Sequence, residues 1–378
     1  LVIVSHGTPC IPNDSSTTGE ISMTTSASGN RPTLILSGFF GRGNCGDEAL
    51  LQAQFERFSP DYDIVVSVDE RGAYDGFWNW YPYDKCRIVH QGNLGVVTEE
   101  QVVGLHVGGG GLPHGFNAAQ VVRARSYDKP AFLTGVDAAV PVSSNAAAAV
   151  AHYLTLFDFI SVRSTGSFAT MKTLASDCHL GADWALALPT DGPLPVPTTG
   201  GVVLTVREFP PEFISQVYLD SMQRLVDALG ERFGRLVLLP FCPEDERFLE
   251  HLPALESLPR EIHWWNPRRV QREIAASAAV VSIGRLHPLI FAANVQVPAL
   301  FSEPLAGDPR WPQCTKAQQL CEEHGLGYFP AIDQLTAALR GGIQLENAHF
   351  CQDYRARWDQ QVQLLSQQLA ASAARHCG

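Results

Sequence analysis

The sequence predicts an α/β protein built from two doubly wound, Rossmann-like domains that face each other across a cleft. Three observations carry that expectation. Short apolar runs recur from residue 33 onward, each followed by a turn and a stretch of helical periodicity, as a parallel sheet covered on both faces requires. The alternation breaks once, at residues 188–201 (LPTDGPLPVPTTGG), where proline and glycine leave no periodic signal and a linker is expected. Finally, 378 residues exceed what one hydrophobic core usually serves. The boundaries that follow are a weakly ordered Ser/Thr/Gly/Asn-rich tail over 1–30, a first domain over 31–190, a second over 200–345 and a C-terminal crossover helix in 346–378.

In the first domain the strand-like runs are 33–37 (TLILS), 63–68, 87–90, 105–107, 131–134 and 159–162, with helical stretches at 117–125 and 144–157. The first run ends at Gly38 and leads into FFGRGNCGDEALLQAQFERF, a glycine loop opening an amphipathic helix. Gly38, Gly41, Gly43 and Gly46 let backbone approach a ligand closely, and Asp47 and Glu48 suit the positive end of the helix dipole. The second domain begins with VVLTV at 202–206 and a helix over 213–233, then a strand at 236–240 and a helix near 243–251. A strand near His263, a helix over 267–277 and a strand at 299–301 complete it, and a long polar-amphipathic helix over 346–376 closes the chain.

The most informative stretch is 279–299, AVVSIGRLHPLIFAANVQVPA. A buried strand enters a small turn that delivers Arg285 and His287 where a helix begins, and Pro288 suits the first turn because its missing N–H costs little there. Such a mouth attracts phosphate or carboxylate. Arg285 can equally pair with a core carboxylate, and His287 can be a satisfied buried histidine.

Composition narrows the function classes. A net charge of −12 argues against wrapping a nucleic-acid backbone while leaving room for a local basic pocket. No apolar run approaches the about 20 residues of a membrane span. Nine scattered cysteines form neither zinc-type pairs nor a disulfide scaffold, which reads as reduced thiols in the cytoplasm. The scattered histidines (His90, His106, His114, His179, His263) show no metal-ligand spacing, so no metal is expected. Cys45 has no evident base partner and reads as a passive thiol. Leu1 is not an initiator methionine and LVIV is too short for a signal-peptide core, so the opening residues read as a fragment boundary.

The chemistry-bearing candidates all follow predicted strands: the loop GRGNCGDE, the tetraglycine at 108–111, Arg163, Arg207, the segment 240–245, and Arg285 with His287. Placement at strand ends is what a site in an interdomain cleft demands. Arg163 and Arg207 can also be surface cations, and the tetraglycine can merely permit tight packing. Trp78, Trp80, Tyr81 and Tyr83 in FWNWYPYD can stack on sugar faces or pack onto the first sheet.

The segments SGFFGRGNCGDEAL, LHVGGGGLPHG, FISVRSTGSFATMKTL, VVLTVRE, LLPFCPEDERF and SIGRLHPLIFAANVQVPAL, in this order, resemble the polysaccharide pyruvyltransferase family. The resemblance implies a two-domain architecture like that of GT-B glycosyltransferases, and transfer of the pyruvyl part of phosphoenolpyruvate to a sugar as a cyclic ketal, with release of phosphate. Phosphoenolpyruvate is then a co-substrate, no cofactor is implied, and the partner is a glycan or sugar acceptor; a homo-oligomer is compatible with it. The chain departs from the family pattern where Ser164 follows Arg163 in place of an acid, where Asp183-Trp184 replaces Asp-Pro, and where His114 stands near the family's aspartate.

On this reading Arg163, Arg207 and Arg285 line the donor pocket, because a planar guanidinium bonds carboxylate or phosphate bidentately. Gly43 and Asn44 lie beside them, and Lys316 joins through its segment's likeness to the family's lysine after the RLH helix. His287 is the expected acid for the donor methylene, since imidazole titrates in the useful range. Asp47 or Asp245 is the base, each equally readable as a helix cap. The rivals are a nucleotide-sugar glycosyltransferase on the same plan and a catalytically silent binding module.

Overall fold

The computed structural model describes residues 31–69, 72–112, 118–138, 144–175, 177–190, 192–193, 201–305, 308 and 315–377. The tail at 1–30, residues 191 and 194–200 of the linker, and His114 lie outside the described residues.

The first half carries strands β1 (Thr33–Ser37), β2 (Asp63–Val68), β3 (Arg87–His90), β4 (Val102–Gly108), β5 (Gly111–Leu112), β6 (Ala131–Ala138), β7 (Phe159–Val162) and β8 (Cys178–Leu180). Its helices are α1 (Cys45–Phe58), α2 (Ala118–Ser126), α3 (Ser144–Leu154) and α4 (Thr165–Leu174). The sheet runs β3-β2-β1-β4-β6-β7-β8, with β5 alongside β6. In the second half β9 (Gly201–Val206), β10 (Arg235–Leu238), β11 (Ala279–Ile283), β12 (Ala299–Ser302) and β13 (Gly327–Phe329) form a sheet in the order β10-β9-β11-β12-β13. Around it lie α5 (Gln216–Phe233), α6 (Pro243–Phe248), α7 (Pro267–Ala275), α8 (His287–Asn294), α9 (Thr315–His324) and α10 (Ile332–Arg340). The final helix, α11 (Gln352–Cys377), returns to the first half: Ser372 Oγ donates to Val103 O at 2.6 Å, and Ser161 Oγ donates to Gln361 at 2.7 Å.

Among the described residues every strand pair is parallel. Apolar runs such as TLILS and AVVSI are therefore buried along their whole length, as strands covered on both faces must be. Strand order reverses between β1 and β4 in the first sheet and between β9 and β11 in the second, the switch points where doubly wound sheets hold ligands beyond their carboxyl ends. The two ends meet: Cys45 N donates to Phe241 O at 2.7 Å, and Asn294 Nδ2 donates to Ala185 O at 2.7 Å. One core cluster runs through both halves, from Leu34, Phe132 and Trp184 to Val203, Phe291 and Phe301. These contacts join the two halves where their carboxyl ends face each other.

Several elements depart from expectation for local reasons. Strand β6 continues past Thr134 to Ala138 because Gly135 adopts φ 64° and absorbs a register shift, with Trp184 packed where its side chain would stand. The strand expected near His263 shrinks to a bridge between Leu238 and Arg260: Trp264 turns in against Gly43, and Asn266 caps α7. Helix α5 starts at Gln216 rather than 213, since Pro210 and Pro211 impose a 3-10 turn and Ser215 then caps the helix. Helix α11 starts at Gln352 rather than 346, because Ala348 is buried and Phe350 stacks on Tyr354 as the chain crosses between the halves.

Candidate active site

The β1–α1 loop shows what the glycines are for. Asn44 caps α1, its side chain accepting from Gly46 N at 3.2 Å, so Asp47 is not the cap. Glu48 folds back onto the loop: Oε1 accepts from Gly41 N at 3.1 Å and Gly43 N at 3.2 Å, and Oε2 accepts from the Tyr83 hydroxyl at 2.6 Å. Gly43 has φ 74°, and a Cβ there would stand 2.7 Å from the Trp264 ring. Gly43 and Asn44, expected beside the donor, thus serve packing and capping. In the tetraglycine, likewise, Gly108 makes room for Gln54, Gly109 for Leu50 and Gly111 for Lys316.

At the end of β7, buried Arg163 is held between two carboxylates. Its Nε and Nη2 donate to Asp137 Oδ2 at 2.6 and 2.5 Å, and Nη1 donates to Asp183 Oδ2. Lys316 Nζ lies 3.8 Å from the same Asp137 oxygen. Ser164 caps α4, and its hydroxyl lies 3.2 Å from Asp137 Oδ1, so the acid beside Arg163 comes from β6 rather than from the next residue. Asp183 also accepts from Ala185 N at 2.8 Å, while its own N–H donates to Tyr354 Oη at 2.9 Å.

Arg285, after β11, is held the same way. Nε donates to Asp245 Oδ2 at 2.9 Å, and Nη2 reaches Asp245 Oδ1 at 2.6 Å, Glu208 Oε2 at 2.5 Å and Cys242 Sγ at 2.9 Å. Asp245 further accepts from Glu208 N at 2.9 Å and Phe241 N at 3.2 Å. A carboxylate so committed is an anchor, which sets aside its reading as a base. Glu208, Cys242 and Asp245 bring metal-type donor atoms within 4.8 Å of one another, but Arg285 contacts all three and is the cation of that cluster. Arg207 stands after β9 with its N–H on Ile283 O at 2.9 Å, and its charge acts on Glu208.

His287, the first residue of α8, lies directly over the start of α1: a Cβ on Gly46 would be 2.0 Å from its Nδ1. Its Nε2 is buried without a hydrogen-bond partner, 3.8 Å from Asp183 Oδ2. The charges acting on Asp47 include Arg163, Arg285, Asp183 and Lys316; those acting on His287 include Asp183, Arg163, Arg285 and Asp137. The two arginines, Lys316, Asp47 and His287 therefore converge where the two switch points face each other, and Arg207 enters through Glu208.

Burial sets the proton inventory. It pushes the Asp47 carboxyl up to about 7, against the pull of Arg163 and Arg285. Glu48 rises to about 7 through burial, against its bond from Tyr83, and Glu208 rises to about 7 through burial, against Arg285. Asp137 moves the other way: burial pushes it up, but Arg163 and Lys316 outweigh that and hold it below the usual range. His287 falls to about 4 through burial, with Asp183 opposing. Near neutral pH Asp47 is shared between its two forms and His287 is neutral, the reverse of the order expected from their ordinary values. The Cys45 thiol is pushed well up by burial, as a passive thiol would be.

The fold is that of a two-domain, GT-B-like α/β protein whose candidate catalytic groups sit at facing strand ends. A family model described as polysaccharide pyruvyl transferase matches residues 44–302, and the chain belongs to that family. No curated protein matches it. Among solved structures it is similar to UDP-GlcNAc 2-epimerase from Neisseria meningitidis bound to UDP-GlcNAc, at 9% identity and TM-score 0.52, covering 90% of this chain and 100% of that one. It is also similar to TcCGT1 in complex with UDP, at 11% identity and TM-score 0.51, covering 92% of this chain and 99% of that one. At such identities the likeness is one of fold. Among the described residues no helix is long and apolar enough to cross a membrane.

Three acids at the site are not among the expected ones. Asp137 lies beyond residue 134, where the expected strand stops, Glu208 is the residue after Arg207, and Glu48 reads from the sequence only as a charge suiting the helix dipole. In the aromatic segment Phe77 and Tyr83 are core residues, whereas Trp78 is exposed and Trp80 half-buried.

Proposed function

We propose that this chain moves the pyruvyl group of phosphoenolpyruvate onto two hydroxyls of a sugar as a cyclic ketal, releasing phosphate. What supports the reading is one observation within a pyruvyl transferase: Asp47 and His287, with pKa values pushed apart to about 7 and about 4, share the same pair of arginines. Two titratable groups separated in this way suit a paired acid and base.

The donor carries a carboxylate and a phosphate, and Arg163, Arg285 and Lys316 are the cations that hold it, with Arg207 acting from the Glu208 side. The anion raises the pKa of adjacent Asp47, which then carries the proton. Asp47 delivers that proton to the methylene carbon, and the neighbouring carbon becomes oxocarbenium-like. A sugar hydroxyl adds there and gives its proton to neutral His287. The C–O bond to phosphate then breaks with its electron pair, and His287 protonates the leaving phosphate. The second hydroxyl closes the ketal and returns a proton to Asp47. The assignment of His287 as the first acid is thereby exchanged with that of Asp47.

The test is phosphate release from phosphoenolpyruvate with a panel of sugar acceptors, for the wild type, Asp47→Asn and His287→Ala. Near-normal turnover in either variant removes that residue's role. Thermal protection of the donor-free protein by phosphoenolpyruvate, and not by nucleotide sugars, separates this reading from a glycosyltransferase; the converse result would favour the rival.

A further inference from the structure

We infer that Gln319 and Glu323 are positioning residues for the donor: they dock helix α9 across the seam onto the start of α4, and so hold the Lys316 ammonium against Asp137. The inference rests on the proposed function in counting Lys316 among the cations of the donor pocket.

Helix α9 belongs to the second half, between β12 and β13, yet one row of its side chains meets the first half. Lys316, Gln319 and Glu323 stand at i, i+3 and i+7, within about 60° of one another around the helix. Lys316 Nζ lies 3.8 Å from Asp137 Oδ2 at the end of β6, in the space left by Gly111, where a Cβ would be 2.8 Å from it. Gln319 Oε1 lies 3.2 Å from the hydroxyl of Ser164, the residue that caps α4, and a Cβ on Gly166 would stand 2.1 Å from Gln319 Nε2. Beyond it Glu323 Oε1 accepts from Thr165 N at 2.7 Å and from Thr165 Oγ1, while its Oε2 lies 3.6 Å from Arg357 Nη1 of α11.

This row is not what keeps α9 attached. On the adjoining face Ala317, Leu320 and Cys321 are buried in the core cluster that runs through both halves. The Glu323 side chain is only 15% exposed, so its carboxylate has been taken largely out of water, a costly way to add adhesion that an apolar residue would supply. Directional bonds supply something that apolar contact does not, which is register: they fix both the rotation of α9 and its place along its own axis. Lys316 sits on the same row about 10.5 Å along that axis, so the register set at Glu323 and Gln319 decides where the lysine stem starts. The stem is flexible and the Lys316 side chain 37% exposed, and a fixed origin confines the ammonium to the neighbourhood of Asp137. The same Asp137 oxygen holds Arg163, so the dock brings a cation of the second half up to one of the first.

Glu323→Ala breaks the dock from the α9 side. Gly166→Ala breaks it from the α4 side, with a methyl group that a helix accepts readily. The first measurement uses no donor: acylation of Lys316 by acetic anhydride at about pH 8, followed by mass spectrometry, with Lys85 on the segment between β2 and β3 as the internal reference. Lys316 should react at least threefold faster in both variants than in the wild type, and Lys85 at the same rate in all three. The second is calorimetric titration with phosphoenolpyruvate. Affinity should fall at least fivefold in Glu323→Ala, in Gly166→Ala and in Lys316→Ala, and the double variant Glu323→Ala/Lys316→Ala should bind no more weakly than Lys316→Ala, because the dock acts through the lysine. Wild-type reactivity of Lys316 in both variants, wild-type donor affinity in both, or losses that multiply in the double variant would overturn the inference; the last would mark a general loosening of the fold. A wild type that does not bind phosphoenolpyruvate, with Lys316 still more reactive in the variants, would remove the donor assignment and leave the positioning of Lys316 standing.

Discussion

Replacing Asp47 by Asn should make the protein more stable at alkaline pH and nearly inactive at every pH. Asparagine has the shape of a protonated aspartic acid but cannot ionise. In the wild type burial lifts the Asp47 carboxyl from 3.8 to about 7. About three pKa units at about 1.36 kcal/mol each make roughly 4 kcal/mol, taken as a ceiling for a buried group among other charges. The sign follows from the direction of the shift: a carboxyl raised in the folded state contributes its full stability below the unfolded pKa and loses it as pH rises through the folded one. Wild type and Asp47→Asn should therefore unfold at the same urea concentration near pH 4. The gap should open between about pH 4 and pH 7, then stay constant to pH 9 with the variant ahead by up to about 4 kcal/mol. Phosphate release from phosphoenolpyruvate should meanwhile fall by about 10²–10⁴, the usual worth of a general acid. A stability gap that does not change with pH, a gap of opposite sign above pH 7, or a variant that turns over normally would refute the assignment.

Four further outcomes follow from the same geometry. His287→Asn should lower turnover at least a hundredfold. The wild-type imidazole, depressed to about 4, contributes stability that is whole above about 6.5 and lost as pH falls through 4, so urea titrations from pH 7 to 4 should show the variant losing less, by up to about 3 kcal/mol. Gly46→Ala puts a methyl group where the His287 ring now lies, and although alanine favours a helix by about 1 kcal/mol, turnover should fall at least tenfold with melting temperature little changed; wild-type rates would show that the ring need not sit there. Arg285→Met leaves Asp245 and Glu208 without their cation and should cost about 3–5 kcal/mol in urea unfolding, where a loss below about 1 kcal/mol would mark the pair as dispensable. Calorimetry at pH 8 in buffers of different ionisation enthalpy should register proton uptake when phosphoenolpyruvate binds, since Asp47, Glu48 and Glu208 sit near 7 and an incoming anion raises them; proton release would contradict the reading.

Fold was legible because its signals are local. A run such as VVLTV or AVVSI is apolar on every residue only if both faces of its strand are covered, and helical segments between such runs leave the parallel sheet as the consistent arrangement. The departures occur where a distant residue overrides the local signal. The strand-like run reads as ending at Thr134, yet Trp184 fills the space beside Gly135 and the strand continues to Ala138. The residues after Arg260 read as strand, yet Trp264 is claimed by Gly43, a partner more than 200 positions earlier.

At the site, sequence position identifies which side chains stand at strand ends, but not what neutralises them. From the sequence Arg163 reads as a donor-pocket or a surface cation, and Arg285 as a donor-pocket cation or the partner of a core carboxylate; in the structure each is held between two carboxylates, Asp137 with Asp183 and Asp245 with Glu208. Those acids come from other elements, Asp137 from β6 and Asp245 from α6 with Asp183 and Glu208 in loops, so only tertiary structure brings them together, and Asp183 serves Arg163 while lying 3.8 Å from His287. The same distance in sequence hides the proton order. A lone imidazole near 6.5 and a lone aspartate near 3.8 make histidine the acid and aspartate the base, but packing His287 over Gly46 and burying Asp47 between two switch points inverts them to about 4 and about 7. Desolvation is a property of the whole junction between the two sheets, and no motif of six or eight residues records it. On the proposed assignment the acid in this site is thus a consequence of how the halves close on each other, and His287, the residue that chemical habit nominates, becomes the group that accepts a proton.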